Sequence, residues 1–417
     1  MKIWCNIDKT DCCFVKKFFW PRSLKDLQNI VKEIVIRQKT SLGIIGNGHS
    51  TSEIICPSQN LIKTQYLNSI LKVSTEKNTV TVECGVQIET LNTELAKYGL
   101  QLQNNIFVED VTMVGAMATG AHGTGRHASF SDMIESITFI DEKANVHKVS
   151  RTKDVKTFDA LCTNIGLIGI IYSIKIKCEK MSLIYASRRF STLNRILPIY
   201  KKLNIYYEHF QFLWNPFSDN VIVYTWSNNS KRQKFESVDN LKIVNEIDIA
   251  YLNLGEADSV DFKYRSLMFD SIVPVNPPDV LIDSDIFFDI DDLPDVLKDI
   301  KKLYFKYLSD EPNALDALIR FIEPSESYMN VSYSRNSVSV GVATLGYERF
   351  KKFYRELNDL LVDKYKGRPH WGKINFLTRN SVKNIYQQSY YSFIDIIEKY
   401  NSKRLIGSKT QHNLFGR

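Results

Sequence analysis

The chain has 417 residues, 44% hydrophobic and 24% charged, a globular composition whose length suits two or three domains with sizeable cores. The first twenty residues, MKIWCNIDKTDCCFVKKFFW, break their apolar residues with Lys and Asp too often for a secretory leader. No apolar run reaches the ~18 residues of a membrane helix, so a cytoplasmic location and no integral membrane segment are expected.

Net charge is +7, but the 54 Lys and Arg are scattered, with SKRQK (230–234) and NSKR (401–404) the densest clusters. A nucleic-acid surface needs a continuous basic face, so no nucleic-acid partner is expected. Seven cysteines without a C-x-x-C pair predict reduced thiols rather than a disulfide framework or a zinc site.

In chain order, Ser23 is placed to cap a helix over LKDLQNIVKEIVI, with apolar residues at 24, 27, 30, 31 and 34. SLGII (41–45) is a short buried strand ending at Gly46. NTVTVECG (78–85) alternates as a strand. VQIETLNTELAKYG puts Ile88, Leu91 and Leu95 on one helical face and stops at Gly99. IESITFIDEKANVHKVS is a hairpin turning around Glu142 to Asn145, and IGIIYSIKIKCE alternates again. Beyond about 180 aromatics become dense. SYMNVSYSRNSVSVGVAT (327–344) reads as two strands, and YERFKKFYRELNDLLVDKY as an amphipathic helix. Short strands outnumber helices without regular strand–helix alternation, which predicts an α+β fold rather than a doubly wound one.

Three stretches could carry chemistry. GIIGNGHSTSE (43–53) runs apolar residues into a glycine turn and then His49. DVTMVGAMATGAHGTG (110–125) spaces Gly115, Gly120, Gly123 and Gly125 among small residues, so that backbone N–H groups can approach a ligand such as a pyrophosphate. GRPHWGKINF (367–376) is an ordered turn with a polar tip. Taken singly, each is equally a structural turn. There is no Walker loop, no G-x-G-x-x-G opening a helix, no G-x-S-x-G elbow and no metal-ligand spacing among the histidines.

Together, Gly-x-Gly-His-Ser near 50, Ala-Thr-Gly-x-His-Gly-x-Gly near 120 and Arg-Pro-His-Trp-Gly-Lys near 370 resemble the aldonolactone/alditol oxidase family of vanillyl-alcohol-oxidase-type flavoproteins. The resemblance spans nearly the whole chain, most strongly over 20–180 and 318–376. It implies an FAD-binding domain over 1–180, a substrate (cap) domain with a mainly antiparallel sheet over 181–375, and a C-terminal segment over 376–417 returning to the FAD domain. It implies FAD linked covalently through His49. Ile44, Ile45, Gly46, Asn47, Gly48, His49 and Ser50 would form one cofactor loop. Thr112, Gly115, Thr119, Gly120, Ala121 and His122 would form the other, with Ile170 and Ile171 packing on the cofactor.

Lys373 matches a family lysine whose charge stabilises the reduced flavin, a form of electrostatic catalysis. Arg320 matches an arginine near substrate hydroxyls, and Arg335 a second family arginine with a substrate or ion-pair role. The implied partners are a small carbohydrate-like substrate and O2 or another electron acceptor. The implied reaction is oxidation of a C–OH group of a sugar, alditol or aldonolactone.

The chain also departs from the family. Leu318 stands where relatives have glutamate, Phe107 where alditol oxidase has a substrate-side serine, and Ala343 where it has threonine, although Thr344 is adjacent. Each lost hydrogen bond is worth about 0.5–3 kcal/mol, which favours a larger or less polar carbohydrate derivative, or loss of the chemistry. His370 and Tyr333 are the candidates for general base. Ile106 replaces a small residue beside the flavin and would hinder oxygen, making the enzyme a dehydrogenase.

Overall fold

The computed structural model describes residues 2–52, 54, 59–228, 260–264, 281–309, 311, 316–345 and 347–416; the SKRQK cluster lies outside them. Among the described residues the chain builds two large antiparallel sheets, a two-stranded antiparallel hairpin (Lys2–Cys5 with Cys12–Val15) and a small parallel sheet. Strands Lys17–Phe19, Asn60–Lys63 and Leu42–Ile45 form the parallel sheet, with 60–63 central. The next sheet runs 146–150, 134–140, 170–180, 79–83, 70–74, with 100–102 pairing the far end of 170–180. After Lys180 the chain enters an eight-stranded sheet in the order 260–264, 183–192, 220–228, 209–214, 317–322, 337–345, 281–289, 368–369. The fold is α+β, as the short strands predict.

Local signals explain most elements. Ser23 caps helix Leu24–Val31 by accepting from Asp26 N at 3.1 Å, and the helix continues as a π-turn over Lys32–Arg37. Ile88, Leu91 and Leu95 are the buried face of helix Ile88–Ala96, which ends before Gly99 at φ +64°. The 134–150 hairpin pairs Ile140 with Val146, and Asp141 Oδ1 accepts from Lys143 N and Asn145 N in the turn.

Two expectations fail. Only Ser337–Leu345 of the 327–344 stretch is a strand. Residues 325–335 are tight turns, because Asn330 Oδ1 accepts from Ser332 N and Oγ while its Nδ2 donates to Ser129. Such side chains give the backbone local partners that compete with a ladder. The reduced-thiol reading fails too. Cys5 and Cys12 lie opposite each other in the 2–5/12–15 hairpin and form a disulfide, and Cys13 is also disulfide-bonded; Cys84, Cys162 and Cys178 are free and buried. The sequence separation of seven between Cys5 and Cys12 gave no motif to read, whereas the hairpin register pairs them. Among the described residues no helix is long and apolar enough to cross a membrane.

The eight-stranded sheet has two unlike faces. On one, Phe210, Phe212, Trp214, Ile319, Phe321, Val338, Val340, Ile282 and Ile286 pack under helices Leu293–Tyr307 and Tyr347–Tyr365. The alternate residues carry Asp283, Asp285, Arg320, Gln211 and Ser339 to the other face, as strand period two requires. That face meets the glycine-rich loop of the N-terminal region. Gly125 N donates to Phe321 O, and Thr124 Oγ1 donates to Phe210 O at 2.5 Å.

At Gly125 φ is +77°, and an added Cβ would stand 2.2 Å from Glu208 O and 2.7 Å from His209 Cα. The joint between loop and sheet therefore requires glycine. Gly125→Ala is expected to cost more than about 2 kcal/mol and to lower the melting temperature by several degrees. A thermal melt within a degree of the unsubstituted protein would contradict this account of the joint.

Candidate active site

The turn after strand Leu42–Ile45 can be tight because Gly46 lies against Thr112, where an added Cβ would be 2.1 Å from its Oγ1. Gly48 follows at φ +82° beneath Trp4 of the N-terminal hairpin. Asn47 donates through Nδ2 to Asp110 O. Thr112 caps helix Met113–Ala118 by accepting from Gly115 N, and Thr119 Oγ1 donates to Gly115 O at its end. Thus the 46–50 and 112–119 stretches are held edge to edge.

The third stretch closes on the first. Thr51 N donates to Gly372 O at 2.9 Å, Ser52 Oγ to Trp371 O at 2.8 Å, and Gly372 stands against Ser50 Oγ. Trp371 is buried and donates to Met329 O, which anchors the turn. It meets the second stretch as well, with the His370 and His122 rings 5.9 Å apart. All three stretches therefore converge.

His49 Nε2 lies 3.0 Å from Asp110 Oδ2, but not at a hydrogen-bonding angle, and it is buried without a hydrogen-bond partner among the described residues. Lys373 Nζ pairs with Asp283 Oδ2 at 2.9 Å, both side chains about a third exposed. The hairpin covers this end of the site: Ile7 N donates to Gly48 O, Asn6 Nδ2 to Ser50 O, and Asp8 lies among His49, Lys373, Asp283 and Asp110. Burial raises the Asp8 pKa, opposed by His49 and Lys373.

Asp285 is the centre of the deeper part. Its Oδ2 meets His122 Nε2 at 3.1 Å and accepts from Arg320 Nη2, while its Oδ1 is buried without a hydrogen-bond partner among the described residues. Burial alone would raise its pKa; the Arg320 guanidinium and His122 reverse that and hold it far below the carboxylate range. Burial and then Arg320 push the His122 pKa down, against Asp285. Both His122 nitrogens face acceptors, Asp285 and Gly123 O. We hold to the neutral ring, because the guanidinium already balances the single carboxylate. His370 Nδ1 accepts from Gly372 N at 3.0 Å, so this nitrogen carries no proton. Burial lowers its pKa well below the ordinary value, and the Lys373 and Arg320 charges act in the same direction.

Several expected site residues are placed elsewhere. Arg335 donates to Phe287 O and Lys366 O beside Arg368, and burial followed by Arg368 lowers its pKa to about 10; it braces backbone and is not part of the cluster. Thr344 bonds Tyr354 on the helix-covered face, so it does not replace the hydroxyl missing at Ala343. Tyr333 packs on Tyr328, and its carbonyl accepts from Arg368. Ile45 packs under the hairpin with Trp4 and Val15, Ile170 with Leu42 and Ile62 beside Ile44, and Ile171 in the main core. Gly120 has φ +75°, and Ala121 is partly buried against the main core. Phe107 packs with Leu213, Tyr224 and Leu318 and lies 5.8 Å from the Arg320 guanidinium. Asp285 was missed, although IDSDIFF places two acids, Asp283 and Asp285, two residues apart on one face of a strand.

The fold is that of the vanillyl-alcohol-oxidase-type flavoproteins. The chain aligns over 97% of its length with 6-hydroxy-D-nicotine oxidase from Arthrobacter nicotinovorans, covering 93% of that protein at a TM-score of 0.71 and 13% identity, which speaks to fold alone. Residues 15–150 match the FAD binding domain family and residues 282–413 the D-arabinono-1,4-lactone oxidase family. The chain is 24% identical to L-gulonolactone oxidase of Scyliorhinus torazame over 94% of both chains. It is 22% identical to L-gulono-1,4-lactone dehydrogenase of Mycobacterium tuberculosis over 93% of both. A 30% match to L-gulonolactone oxidase of Bos taurus spans 52% of this chain and 50% of that protein. By these matches the chain resembles the aldonolactone oxidases, FAD-dependent oxidoreductases acting on CH–OH groups.

His370 is neutral in the folded protein, and in the unfolded chain it takes a proton below pH ~6.5. Its contribution to stability is therefore present above that pH and is lost as the pH falls. In urea unfolding between pH 7 and 5, His370→Gln is expected to flatten the decline by up to about 1.4 kcal/mol per pH unit. Parallel curves for the two proteins would contradict a neutral His370.

Proposed function

We propose that this enzyme oxidises a secondary hydroxyl of an aldonolactone or a related, partly apolar sugar derivative, with FAD linked through His49. The carrying observation is a histidine whose Nε2 is buried and without a hydrogen-bond partner among the described residues, at the end of a glycine turn packed against Thr112 and Trp4. Support for the substrate class comes from the L-gulonolactone and D-arabinono-1,4-lactone activities named for relatives.

FAD, when bound, supplies the acceptor for the hydride. Gly46–Ser50 and Thr112–His122 would hold it, with Ile44, Ile170 and Ile171 behind. Lys373 contributes positive charge where reduction leaves negative charge, and Asp283 keeps the ammonium oriented. Arg320, fixed by Asp285, donates to a substrate oxygen. Asp285 Oδ1 points toward Gly341, beside Leu318. From two strands away, across strand 337–345, it supplies the carboxylate oxygen that position 318 lacks, and it accepts a hydrogen bond from the hydroxyl being oxidised. A carboxylate held this far below its ordinary range orients the O–H and does not keep the proton, which passes to water. Phe107, Leu318 and Ala343 make one wall apolar. A second reading, a flavin-binding protein without this chemistry, is motivated by Leu318 and Ala343.

Anaerobic bleaching of the flavin by any member of a lactone, sugar and polyol panel is expected. Silence across the panel would favour the second reading. Acid-precipitated protein should stay yellow and His49→Ala should release its flavin into the supernatant; free flavin from the unsubstituted protein would remove the covalent link.

Ile106 is buried near this wall. If it shields the reduced flavin from O2, Ile106→Gly will speed reoxidation in air by tenfold or more, as followed by stopped flow. An unchanged rate would leave oxygen access to some other residue.

A further inference from the structure

Across the polar face of the eight-stranded sheet, one register row runs Tyr224, Gln211, Arg320, Ser339. Gln211 lies opposite Tyr224 on one side and Arg320 on the other, and Arg320 lies opposite Ser339. Directly opposed residues share a face. Gln211 and Ser339 are fully buried. Both amide atoms of Gln211, Arg320 Nε and Ser339 Oγ lack a hydrogen-bond partner among the described residues.

Buried polar groups are nearly always bonded, and each exception asks for an explanation. Several exceptions in one row, next to the Asp285–Arg320 pair, share a single explanation: the groups bond a ligand. The sheet's other face offers no alternative, because it is apolar and covered by helices.

We infer that Gln211 and Ser339 are substrate-binding residues that extend the site along the sheet from Arg320. The inference rests on the reading of the enzyme as a lactone or sugar oxidoreductase. From Gln211 to Ser339 is two strand spacings, about 10 Å, which suits a monosaccharide-sized ligand. A primary amide donates and accepts at once. It therefore matches adjacent hydroxyls, each of which also donates and accepts. A single carboxylate or phosphate would be matched by cations instead, and in this row only Arg320 is cationic, already paired with Asp285. The chemical class is thus a neutral polyhydroxylated ring. Leu213, Leu318 and Phe107 pack beside the row and contact its less polar face. Gln211 fixes the position of hydroxyls remote from the oxidised carbon, so its contribution falls on binding.

The test compares the holoenzyme with Gln211→Met and Ser339→Ala, using L-gulono-1,4-lactone and deoxy analogues lacking one hydroxyl. Anaerobic flavin reduction gives KM and kcat, and ligand-induced thermal shifts give binding without turnover. For Gln211→Met, KM should rise about tenfold with kcat little changed, as for one or two lost hydrogen bonds. One deoxy analogue should bind the variant and the unsubstituted enzyme alike. Ligand-free Gln211→Met should melt no lower than the unsubstituted enzyme, because an unbonded amide has left the interior. Equal KM and equal thermal shifts in all three proteins would overturn the inference even if the flavin is bleached normally. If no lactone bleaches the flavin, but a lactone-induced thermal shift is lost in Gln211→Met, the binding row stands and the oxidoreductase reading falls. If Gln211→Met does not fold, Ser339→Ala carries the test with the same KM criterion. An enzyme that shows neither bleaching nor any lactone-induced shift overturns both.

Discussion

The Asp285 carboxylate is the constraint on which the rest of the site depends. It is 1% exposed, and a lone charge at that depth would be costly. Arg320 offsets that cost from the adjacent part of the sheet, and His122 does so from the glycine-rich loop. One buried charge thus ties a residue of the N-terminal region to two of the substrate sheet. Removing a partner from such an arrangement commonly costs about 3–5 kcal/mol, because the remaining charge is left uncompensated.

This constraint sets the chemistry of its neighbours. Arg320 cannot swing freely, since Nη2 is bonded to Asp285 and Nη1 reaches His122 O. Its remaining donors are therefore aimed before any substrate arrives. His370 is kept neutral by burial and by the nearby cations, and its Nδ1 is occupied by Gly372 N, so it is poorly suited to the general-base role its sequence position suggests. The acceptor left open is the second oxygen of Asp285. A fixed acceptor and a fixed donor, meeting across strand 337–345, are preorganised polar groups of the kind that favour one orientation of a substrate hydroxyl.

Much of this was legible in the sequence where the signal is local. Ser23, the 88–95 helical stripe and the 134–150 hairpin each carry their own instructions in capping, period or turn chemistry. The glycine stretches were legible because a close backbone approach leaves a composition trace. Asp285, Gln211 and Ser339 were not, because each is ordinary in its own strand and gains meaning only from strand order. That order joins 209–214 to 317–322 across more than a hundred residues of chain. The 325–335 turns deceived for the converse reason: alternating Ser, Tyr and Asn imitate a strand, while the Ser and Asn side chains supply the bonds a strand would take from a neighbour. The Cys5–Cys12 bond likewise follows from a hairpin register that short, mixed strands do not announce.

The two faces of the eight-stranded sheet differ in what they contribute. The helix-covered face is continuous Phe, Val, Ile and Trp and contributes the driving force for folding. The other face spends some of that stability by burying Gln211, Ser339 and part of Arg320 without hydrogen-bond partners among the described residues. An apolar substitution at these positions would relieve a desolvation penalty in the ligand-free protein. That polar atoms sit there at all is a local conflict between stability and composition, and such conflicts belong at functional sites. The apolar residues at 107, 213 and 318 sharpen the point. Beside a purely polar wall, any sugar would exchange water for protein bonds with little discrimination. With one polar row and one apolar wall, a ring that presents hydroxyls on the wrong side leaves them unbonded against Phe107 and Leu318. Under the proposed assignment, specificity comes as much from what the apolar wall refuses as from what the polar row accepts.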